Sequence, residues 1–445
     1  MKVRGYGRAG ACSTSSASWW LGFVLSLASG AGSAQAQNAP TVGPTPRTER
    51  VDDRTANEAA AYAPLGIKVG SFLLFPTLEA DEQLNDNIYA TSAATGRTAS
   101  FVQLLKPSLV LRSQWSAHQL DFFARGDFGF YSADGSQNFQ DASVGANGRI
   151  DIQRDLNVYG GGFFAHGHEA LGTPNTVAGT TFQPSFYNQV QANAGYYQAF
   201  GHLNVRFDGR VDNYSYTNNG QGPAQGVVPN SDRDRTEFRE SLRLGYEFSP
   251  GYQVWARGGL NQRTYATVPD AFGQNRNSNG WEVLGGVTVD LGGITSLEAF
   301  VGYLQQNYVS GQFSNVSTPS FGLTGYWNPN RNLWVKPFVR RTVDDSSLAN
   351  AASYLNTAFG LDVTYDLRPN VHIEGHGDYS IIDYSAISSG NGRYDQYYNF
   401  RIGLLYQPMR NFFVGPQYQF VHRTSNQFNS DYDQNIFMLR LGAQL

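Results

Sequence analysis

The segment FMLRLGAQL, residues 437–445, closes the sequence in strict alternation. Successive side chains of an extended strand point to opposite faces of the sheet. One face of this segment therefore carries Phe437, Leu439, Leu441, Ala443 and Leu445. The other face is largely polar and carries Met438, Arg440, Gly442 and Gln444. The pattern predicts a β-strand that lies between an apolar and a polar environment.

The same alternation recurs upstream in about eighteen strand-like segments that begin near Ile67. The cleanest segments are 203–212, 357–366, 371–380 and 398–407. In the first of them, Leu203, Val205 and Phe207 oppose charged or amide residues at every second position. Strands that face lipid on one side and water on the other have a weak hydropathy signal, so the absence of a long apolar stretch in this region is expected.

The connections between these segments alternate between short and long. The short ones contain residues suited to tight turns: Arg154-Asp155, Ser249-Pro250-Gly251, Gly292-Gly293, Asn328-Pro329-Asn330, Arg368-Pro369-Asn370 and Pro408-Met409-Arg410. The long ones are polar: 82–98, 166–184, 214–233, 267–280, 307–319, 343–354, 384–395 and 424–433. This asymmetry predicts an all-β protein, a transmembrane antiparallel β-barrel of about 18 strands with short periplasmic turns and long extracellular loops. A large soluble β protein, such as a propeller, is the alternative.

The N-terminus predicts export from the cytoplasm. Lys2, Arg4 and Arg8 precede a short apolar stretch at 19–27 and the cleavage motif Ala34-Gln35-Ala36, which is the arrangement of a secretory signal. We therefore predict a signal peptide at 1–36, a flexible periplasmic leader at 37–66 and an outer-membrane barrel at 67–445. Cys12, the single cysteine, lies in the signal peptide, so no disulfide or thiolate metal site is expected.

The polar face of the segments predicts a wet lumen, because a barrel of 16 to 18 strands is too wide for its own side chains to fill. Charges of both signs occupy this face, often two residues apart. The predicted lumen-lining residues are Arg125, Asp127, Arg149, Asp151, Arg206, Asp208, Arg210, Asp212, Glu237, Arg239, Arg243, Arg257, Glu374, Asp378, Arg401 and Arg440. Arginine rows opposite acidic rows would create a transverse field that filters small polar solutes. The simpler hypothesis is that neighbouring charges only neutralise one another.

Other chemistry has weaker support. His372-x-Glu374-x-His376-x-Asp378 has the two-residue spacing of metal ligands on a strand, and His166-Gly167-His168-Glu169 opens a predicted loop; a plain polar surface is favoured for both. Solvation is likewise favoured over Ca²⁺ binding for Asp86-Asn87-Ile88-Tyr89 and Asp344-Asp345. No G-x-S-x-G elbow is present. We predict no catalytic residues, no metal and no cofactor.

A resemblance to a known family starts at the first barrel residues. Gly66-Ile67-Lys68-Val69-Gly70-Ser71-Phe72, then Pro76, Leu78 and Glu79, and then Asp86-Asn87-Ile88-Tyr89 resemble the opening of the putative β-barrel porin 2 family, as do Lys106-Pro107-Ser108 and Trp115-Ser116. The resemblance covers roughly residues 66–445 and implies an outer-membrane barrel that supports diffusion. Similar barrels of about eighteen strands are associated with exopolysaccharide secretion together with a periplasmic export lipoprotein.

We therefore predict a passive, non-enzymatic channel for small polar solutes in the outer membrane of a Gram-negative bacterium. The alternatives are the outer-membrane pore of an exopolysaccharide export system and a structural barrel with a plugged lumen. The expected partners are outer-membrane lipid and lipopolysaccharide, the barrel assembly machinery through the C-terminal strand and, for export, the periplasmic lipoprotein. The net charge of -4 gives no indication of nucleic acid binding. How far loops 166–184 and 214–233 fold inward is expected to set the pore size.

Overall fold

The computed structural model describes residues 62–176, 183–217, 229–292, 294–386 and 392–445. The signal peptide predicted at 1–36, most of the leader predicted at 37–66 and Gly293 of the predicted Gly292-Gly293 turn lie outside the described residues. No helix within the described ranges is long and apolar enough to cross a membrane.

Nineteen strands account for most of the described chain. In chain order, β1 to β19 are Ile67–Val69, Phe72–Asn85, Ser100–Ser113, Gln119–Tyr131, Phe139–Gln153, Leu156–Glu169, Ser185–Phe200, Leu203–Tyr216, Arg235–Ser249, Tyr252–Tyr265, Ser278–Asp290, Thr295–Tyr308, Val316–Asn330, Leu333–Asp345, Ala351–Arg368, Val371–Ala386, Tyr394–Met409, Phe412–Ser425 and Tyr432–Gln444.

Strands β2 to β19 form a closed ring of 18 antiparallel strands. Each strand pairs with the next in the chain, and β19 returns to β2 with a register that runs from Ile436 opposite Asn85 to Gln444 opposite Thr77. The short strand β1 pairs with β2 beyond the point where β19 ends. The predicted fold class, an antiparallel barrel of about eighteen strands, is confirmed. Closure matters because hydrocarbon offers no partner for an unpaired backbone amide.

The two ends of the barrel differ as predicted, but the strands run further than the sequence indicated. The turns at one end are short, at 154–155, 201–202, 250–251, 331–332, 369–370 and 410–411. The predicted turn Asn328-Pro329-Asn330 is wrong by a few residues, because these residues still belong to β13. Likewise Pro408 and Met409 end β17, and the turn follows at 410–411.

The connections at the other end are longer, and several are shorter than predicted. They span 86–99, 132–138, 170–184, 217–234, 266–277, 309–315, 346–350, 387–393 and 426–431. His166-Gly167-His168-Glu169 does not open a loop but ends β6. Asp344 and Asp345 also lie in a strand, at the end of β14. Polar residues at these strand ends face other polar groups inside the barrel, so polarity alone did not mark where the strands stop.

The outer face of the ring is apolar and exposed. Phe437, Leu439 and Leu441 of the closing strand are each about half exposed, and Val301 of β12 is 69% exposed. Tyr252, Trp327, Tyr365 and Tyr406 are exposed close to the short turns, where interfacial aromatic residues anchor a barrel. A surface this apolar requires a lipid environment.

Adjacent residues on β13 test the assignment of the two faces. Leu323 lies on the outer face between Ala299 and Val339, and Thr324 lies on the inner face opposite Glu298. Leu323→Arg should lower the free energy of unfolding by about 2–4 kcal/mol, because an arginine would face hydrocarbon near the middle of the strand. Thr324→Arg is the matched control and should cost much less. Denaturant unfolding in lipid vesicles measures both, and equal losses would contradict the assignment.

Candidate functional site

The charged residues predicted to line the lumen all lie at inward-facing positions, alternating with the outer apolar residues of their strands. Several of them form ion pairs with a residue two positions away on the same strand. The nitrogen–oxygen distances are 2.9 Å for Arg149–Asp151, 2.8 Å for Arg206–Asp208 and 2.6 Å for Arg210–Asp212.

Other lumen arginines find a carboxylate on the same or another strand. The distances are 2.6 Å for Arg239–Glu237, 2.8 Å for Arg243–Glu298, 2.9 Å for Arg257–Glu282, 2.7 Å for Arg440–Glu79 and 3.3 Å for Arg440–Glu374. Within the described ranges, Arg125, Asp127 and Arg401 have no opposite charge within 4.0 Å. Most lumen charges therefore have a local partner, which is the arrangement of the simpler hypothesis.

The histidine-rich stripe of β16 is also satisfied locally. Nδ1 of His376 contacts Asp362 at 2.7 Å, and Nε2 of His376 contacts Asp378 at 2.8 Å. His372 contacts Asp366 at 2.6 Å, and Glu374 faces Arg440. Among the residues that the structure describes, no three His, Cys, Asp or Glu side chains are placed to hold a metal ion.

A first hairpin leaves the wall and enters the lumen. The pairing of β5 with β6 stops at Ala142 opposite His166, whereas β6 stays paired with β7 as far as Glu169 opposite Ser185. Beyond that point the His168 ring stacks on Phe139, with ring centroids 4.1 Å apart. The end of the β6–β7 hairpin and the connection that follows therefore fold inward.

The segment 170–176, which we call the loop tip, reaches the wall formed by β16 to β19. The Gly172 carbonyl accepts hydrogen bonds from Tyr397 Oη at 3.1 Å, Arg423 Nη1 at 3.3 Å and Tyr432 Oη at 3.3 Å. The Pro174 carbonyl accepts one from Tyr384 Oη at 2.5 Å. Since seven strand-to-strand steps separate β6 from β17 around the ring, the loop tip crosses the lumen.

A second hairpin enters from the other side. The pairing of β13 with β14 reaches Arg340, whereas β14 stays paired with β15 as far as Asp345 opposite Ser353. Arg276 holds the connection at 346–350 by donating to three carbonyls, those of Ser346 at 2.9 Å, Leu348 at 2.8 Å and Ala351 at 3.1 Å. The β14–β15 hairpin thus folds over the strand ends of β9 to β12.

Buried ion pairs fix both hairpins at their bases. Arg233 forms two 2.8 Å hydrogen bonds with Glu169 of the first hairpin and lies 3.6 Å from Asp345 of the second. Arg235 lies 3.3 Å from Asp345, and the Tyr265 hydroxyl donates to the same carboxylate. Burial alone would lower the pKa of Arg233, but Glu169 and Asp345 raise it above its usual value, so Arg233 stays charged.

The two hairpins meet inside the barrel. The Ser347 backbone N–H donates to Asn175 Oδ1 at 3.0 Å, and Ser347 Oγ donates to the Asn175 carbonyl at 2.6 Å. Strands β6 and β14 stand eight places apart in a ring of 18, so the hairpins come from nearly opposite walls. Their contact forms a constriction across the lumen.

The constriction lies towards the long loops. There the inward-facing Gln189, Asp212, Glu237 and Gln419 are almost fully buried. Towards the short turns the inward side chains of Arg149 and Arg257 are about a third exposed. The lumen is therefore open to water at the short-turn end and packed near the long loops.

Sequence reasoning missed most of the residues that build the constriction. They are Arg233, Arg235, Arg263, Arg276, Arg393 and Arg423. The alternation Arg233-x-Arg235-x-Glu237-x-Arg239 could have revealed that inward charges continue to the start of β9. Several of the others fall in or beside segments interpreted as solvated loops.

Comparison with known proteins identifies the family of this chain. Residues 59–445 match the family described as putative beta-barrel porin 2, and no curated protein matches the sequence. Among solved structures, the chain is similar to OpdO of Pseudomonas aeruginosa, with 15% identity, coverage of 85% of this chain and 98% of that chain, and a TM-score of 0.43. For OprD of the same bacterium, the identity is 11%, the match covers 87% of this chain and 97% of that chain, and the TM-score is 0.41. For the copper transporter OprC, the identity is 8%, the match covers 86% of this chain and 81% of that chain, and the TM-score is 0.46.

Arg276→Gln tests whether buried charge holds the second hairpin. The change should leave Asp270, the 2.8 Å partner of Arg276, as an unpaired buried carboxylate, which costs about 3–5 kcal/mol. Amide hydrogen exchange at 346–352 should then accelerate by roughly 100-fold or more. Arg149→Gln, which breaks a partly exposed pair near a short turn, should leave this exchange unchanged. Unaltered exchange in Arg276→Gln would mean that other contacts hold the hairpin.

Proposed function

This chain belongs to the putative beta-barrel porin 2 family and is a non-enzymatic, porin-like channel of the bacterial outer membrane, and from this premise we propose that it lets small polar solutes diffuse across that membrane. The host is a Gram-negative bacterium. The signal peptide at 1–36 directs export, and the C-terminal strand engages the barrel assembly machinery. Outer-membrane lipid and lipopolysaccharide surround the barrel.

The observation that carries this proposal is the pairing of charge along a wet lumen. An arginine and a carboxylate within 3 Å of each other, as in Arg257–Glu282, bind water well and leave little net charge. A lining built from such pairs lowers the barrier for polar solutes of either sign and gives only weak ion selectivity.

The constriction supplies the size limit. Two hairpins from nearly opposite walls meet at Asn175 and Ser347, so a solute that passes must fit around this contact or separate it. A polysaccharide chain in transit would have to part the two hairpins with the help of a partner such as a periplasmic export lipoprotein. A structural barrel would keep them together under every condition.

Single-channel conductance of the refolded protein in planar bilayers tests the proposal. We expect steady, ion-conducting openings with weak selectivity between cations and anions, which sorbitol and other small neutral polyols do not block. Openings that require a partner, or that polysaccharide fragments block, would replace diffusion with export. Absence of current in every condition would support the alternative of a structural barrel with a plugged lumen.

A second prediction concerns the loop tip. Replacing residues 171–175 with five Gly and Ser residues removes the Asn175 side chain that accepts from the Ser347 backbone N–H. It also adds backbone freedom that weakens the carbonyl contacts to Tyr397, Arg423 and Tyr432, so the conductance should rise at least twofold. The matched control replaces residues 93–95, which are exposed in the connection between β2 and β3, and should conduct as the unaltered protein does. Equal conductance in the two variants would place the limiting part of the path elsewhere.

A further inference from the structure

Arg423 differs from the other deeply buried arginines. Six arginines in the described ranges are less than a tenth exposed: Arg233, Arg235, Arg263, Arg276, Arg393 and Arg423. The first five each have a carboxylate oxygen within 4.0 Å. Arg423, the most deeply buried of the six at 1% exposure, has none there. Its positive charge is removed from water with no carboxylate in direct contact, which is costly in a protein interior; Asp395 acts on it only at longer range.

The missing acid does not come from the remaining parts of the barrel sequence. Residues 177–182, 218–228 and 387–391 contain no Asp or Glu. Asp395 is already engaged, since it lies 2.6 Å from Arg393 and accepts from Ser425 Oγ at 2.6 Å. A carboxylate in direct contact with Arg423 would therefore have to come from outside the barrel.

The present partners of Arg423 are neutral oxygens. Its Nε donates to the Ser430 carbonyl at 2.6 Å, and its Nη1 donates to Tyr397 Oη at 3.2 Å and to the Gly172 carbonyl at 3.3 Å. Tyr397 and Tyr432 also donate to that carbonyl. Three donors that converge on one oxygen, one of them charged, match a carboxylate oxygen better than an amide carbonyl, because charge-assisted hydrogen bonds are about twice as strong.

The loop tip presents further acceptors to the same wall. The Pro174 carbonyl accepts from Tyr384 Oη at 2.5 Å and the Thr176 carbonyl accepts from Arg393 Nη1 at 3.5 Å. The loop tip therefore presents three carbonyls, those of Gly172, Pro174 and Thr176, to a row of phenol and guanidinium donors. A ligand that replaces it needs a carboxylate at one end and several hydroxyl oxygens along its length.

We propose that Tyr397, Arg423 and Tyr432, the Arg423 cluster, bind the carboxylate of a small, hydroxyl-rich solute, and that the Gly172 carbonyl occupies this place in the solute-free channel. The inference rests on the proposed channel function and names the solute class that this channel favours. The entering carboxylate displaces the loop tip, so the same event that binds the solute loosens the contact between Asn175 and Ser347.

The backbone of Gly172 packs closely against the wall in a conformation that favours glycine. Its φ is +88°, which favours glycine. A Cβ at this position would lie 2.6 Å from the Cβ of Ala90 and 2.7 Å from Tyr432 Oη. Gly172→Ala therefore provides a way to unseat the loop tip while every residue of the Arg423 cluster keeps its identity, because the added methyl group collides with Ala90 and with the Tyr432 hydroxyl.

Equilibrium dialysis of the refolded full chain against radiolabelled D-gluconate tests the proposal, with D-sorbitol as the uncharged probe of the same chain length. We expect saturable gluconate binding that is at least tenfold tighter than sorbitol binding. Gly172→Ala should tighten gluconate binding severalfold, because the competing carbonyl is displaced. Equal binding of the two probes, or weaker gluconate binding in Gly172→Ala, would overturn the proposal.

Variants of the cluster locate the site. Arg423→Gln should weaken gluconate binding at least tenfold and leave sorbitol binding unchanged, and Arg423→Lys should restore part of the loss by returning the charge. Tyr432→Phe removes one donor and should weaken gluconate binding severalfold. Tyr418→Phe, which removes a phenol that bonds Asn435 on the outer face of the same strand as Arg423, is its matched control and should bind as the unaltered protein does. Undiminished gluconate binding in Tyr432→Phe and Arg423→Lys alike would place the site elsewhere, and neither result depends on Arg423→Gln folding.

Binding and current separate the two proposals. Gluconate binding without any channel current would overturn the diffusion function and leave the site standing. Steady current with no preference for gluconate over sorbitol would overturn the site and leave diffusion standing.

Discussion

The requirement that every backbone amide in hydrocarbon finds a partner within the sheet governs this structure. The pairing of β19 with β2 removes the last free edge. The ion pair between Arg440 and Glu79 joins the same two strands on the inner face, at 2.7 Å. Once the ring is closed, each strand must present alternate residues to lipid and to the lumen, and the sequence pattern follows from that.

Closure with 18 strands creates a second problem, because the enclosed space is too wide for side chains from the wall to fill. This protein fills the extracellular part with two hairpins that leave the wall where pairing on one side stops, after His166 and after Arg340. Side chains inside the barrel then hold the two hairpins. Arg276 donates to three carbonyls of the second hairpin, and the Gly172 carbonyl of the first accepts three bonds.

The packed end of the lumen is therefore a polar core. Its stability depends on complete pairing, since a buried charge that loses its partner costs several kcal/mol. Arg233, with Glu169 on one hairpin and Asp345 on the other, shows how one cation can fix two independent segments. A core of this kind is more selective about geometry than an apolar one, because each hydrogen bond has a direction.

The sequence predicted the ring well because closure leaves a local mark. In β8, Leu203 and Phe207 face outward while Arg206, Asp208, Arg210 and Asp212 face inward, and two-residue alternation is enough to assign them. The hairpins leave no such mark. Asp344-Asp345 and His166–Glu169 look like loop residues because their partners, Arg235 for Asp345 and Asp141 for His168, lie far away in the sequence. The Arg423 cluster was also missed, since Tyr397, Arg423 and Tyr432 come together only when three strands and the loop tip are in place.

The contrast between Arg423 and its neighbours connects stability with function. Arg235 and Arg393 form ion pairs with carboxylates of the chain itself, so their charges are already neutralised in the solute-free barrel. Arg423 instead holds an uncharged carbonyl of a segment that crosses the passage. A site that serves permeation must exchange its partner readily, and a neutral oxygen is easier to displace than a carboxylate, because the incoming anion gains a charge-assisted bond that the carbonyl lacks. The missing counter-charge, which weakens the resting core, is then the source of affinity for an anionic solute.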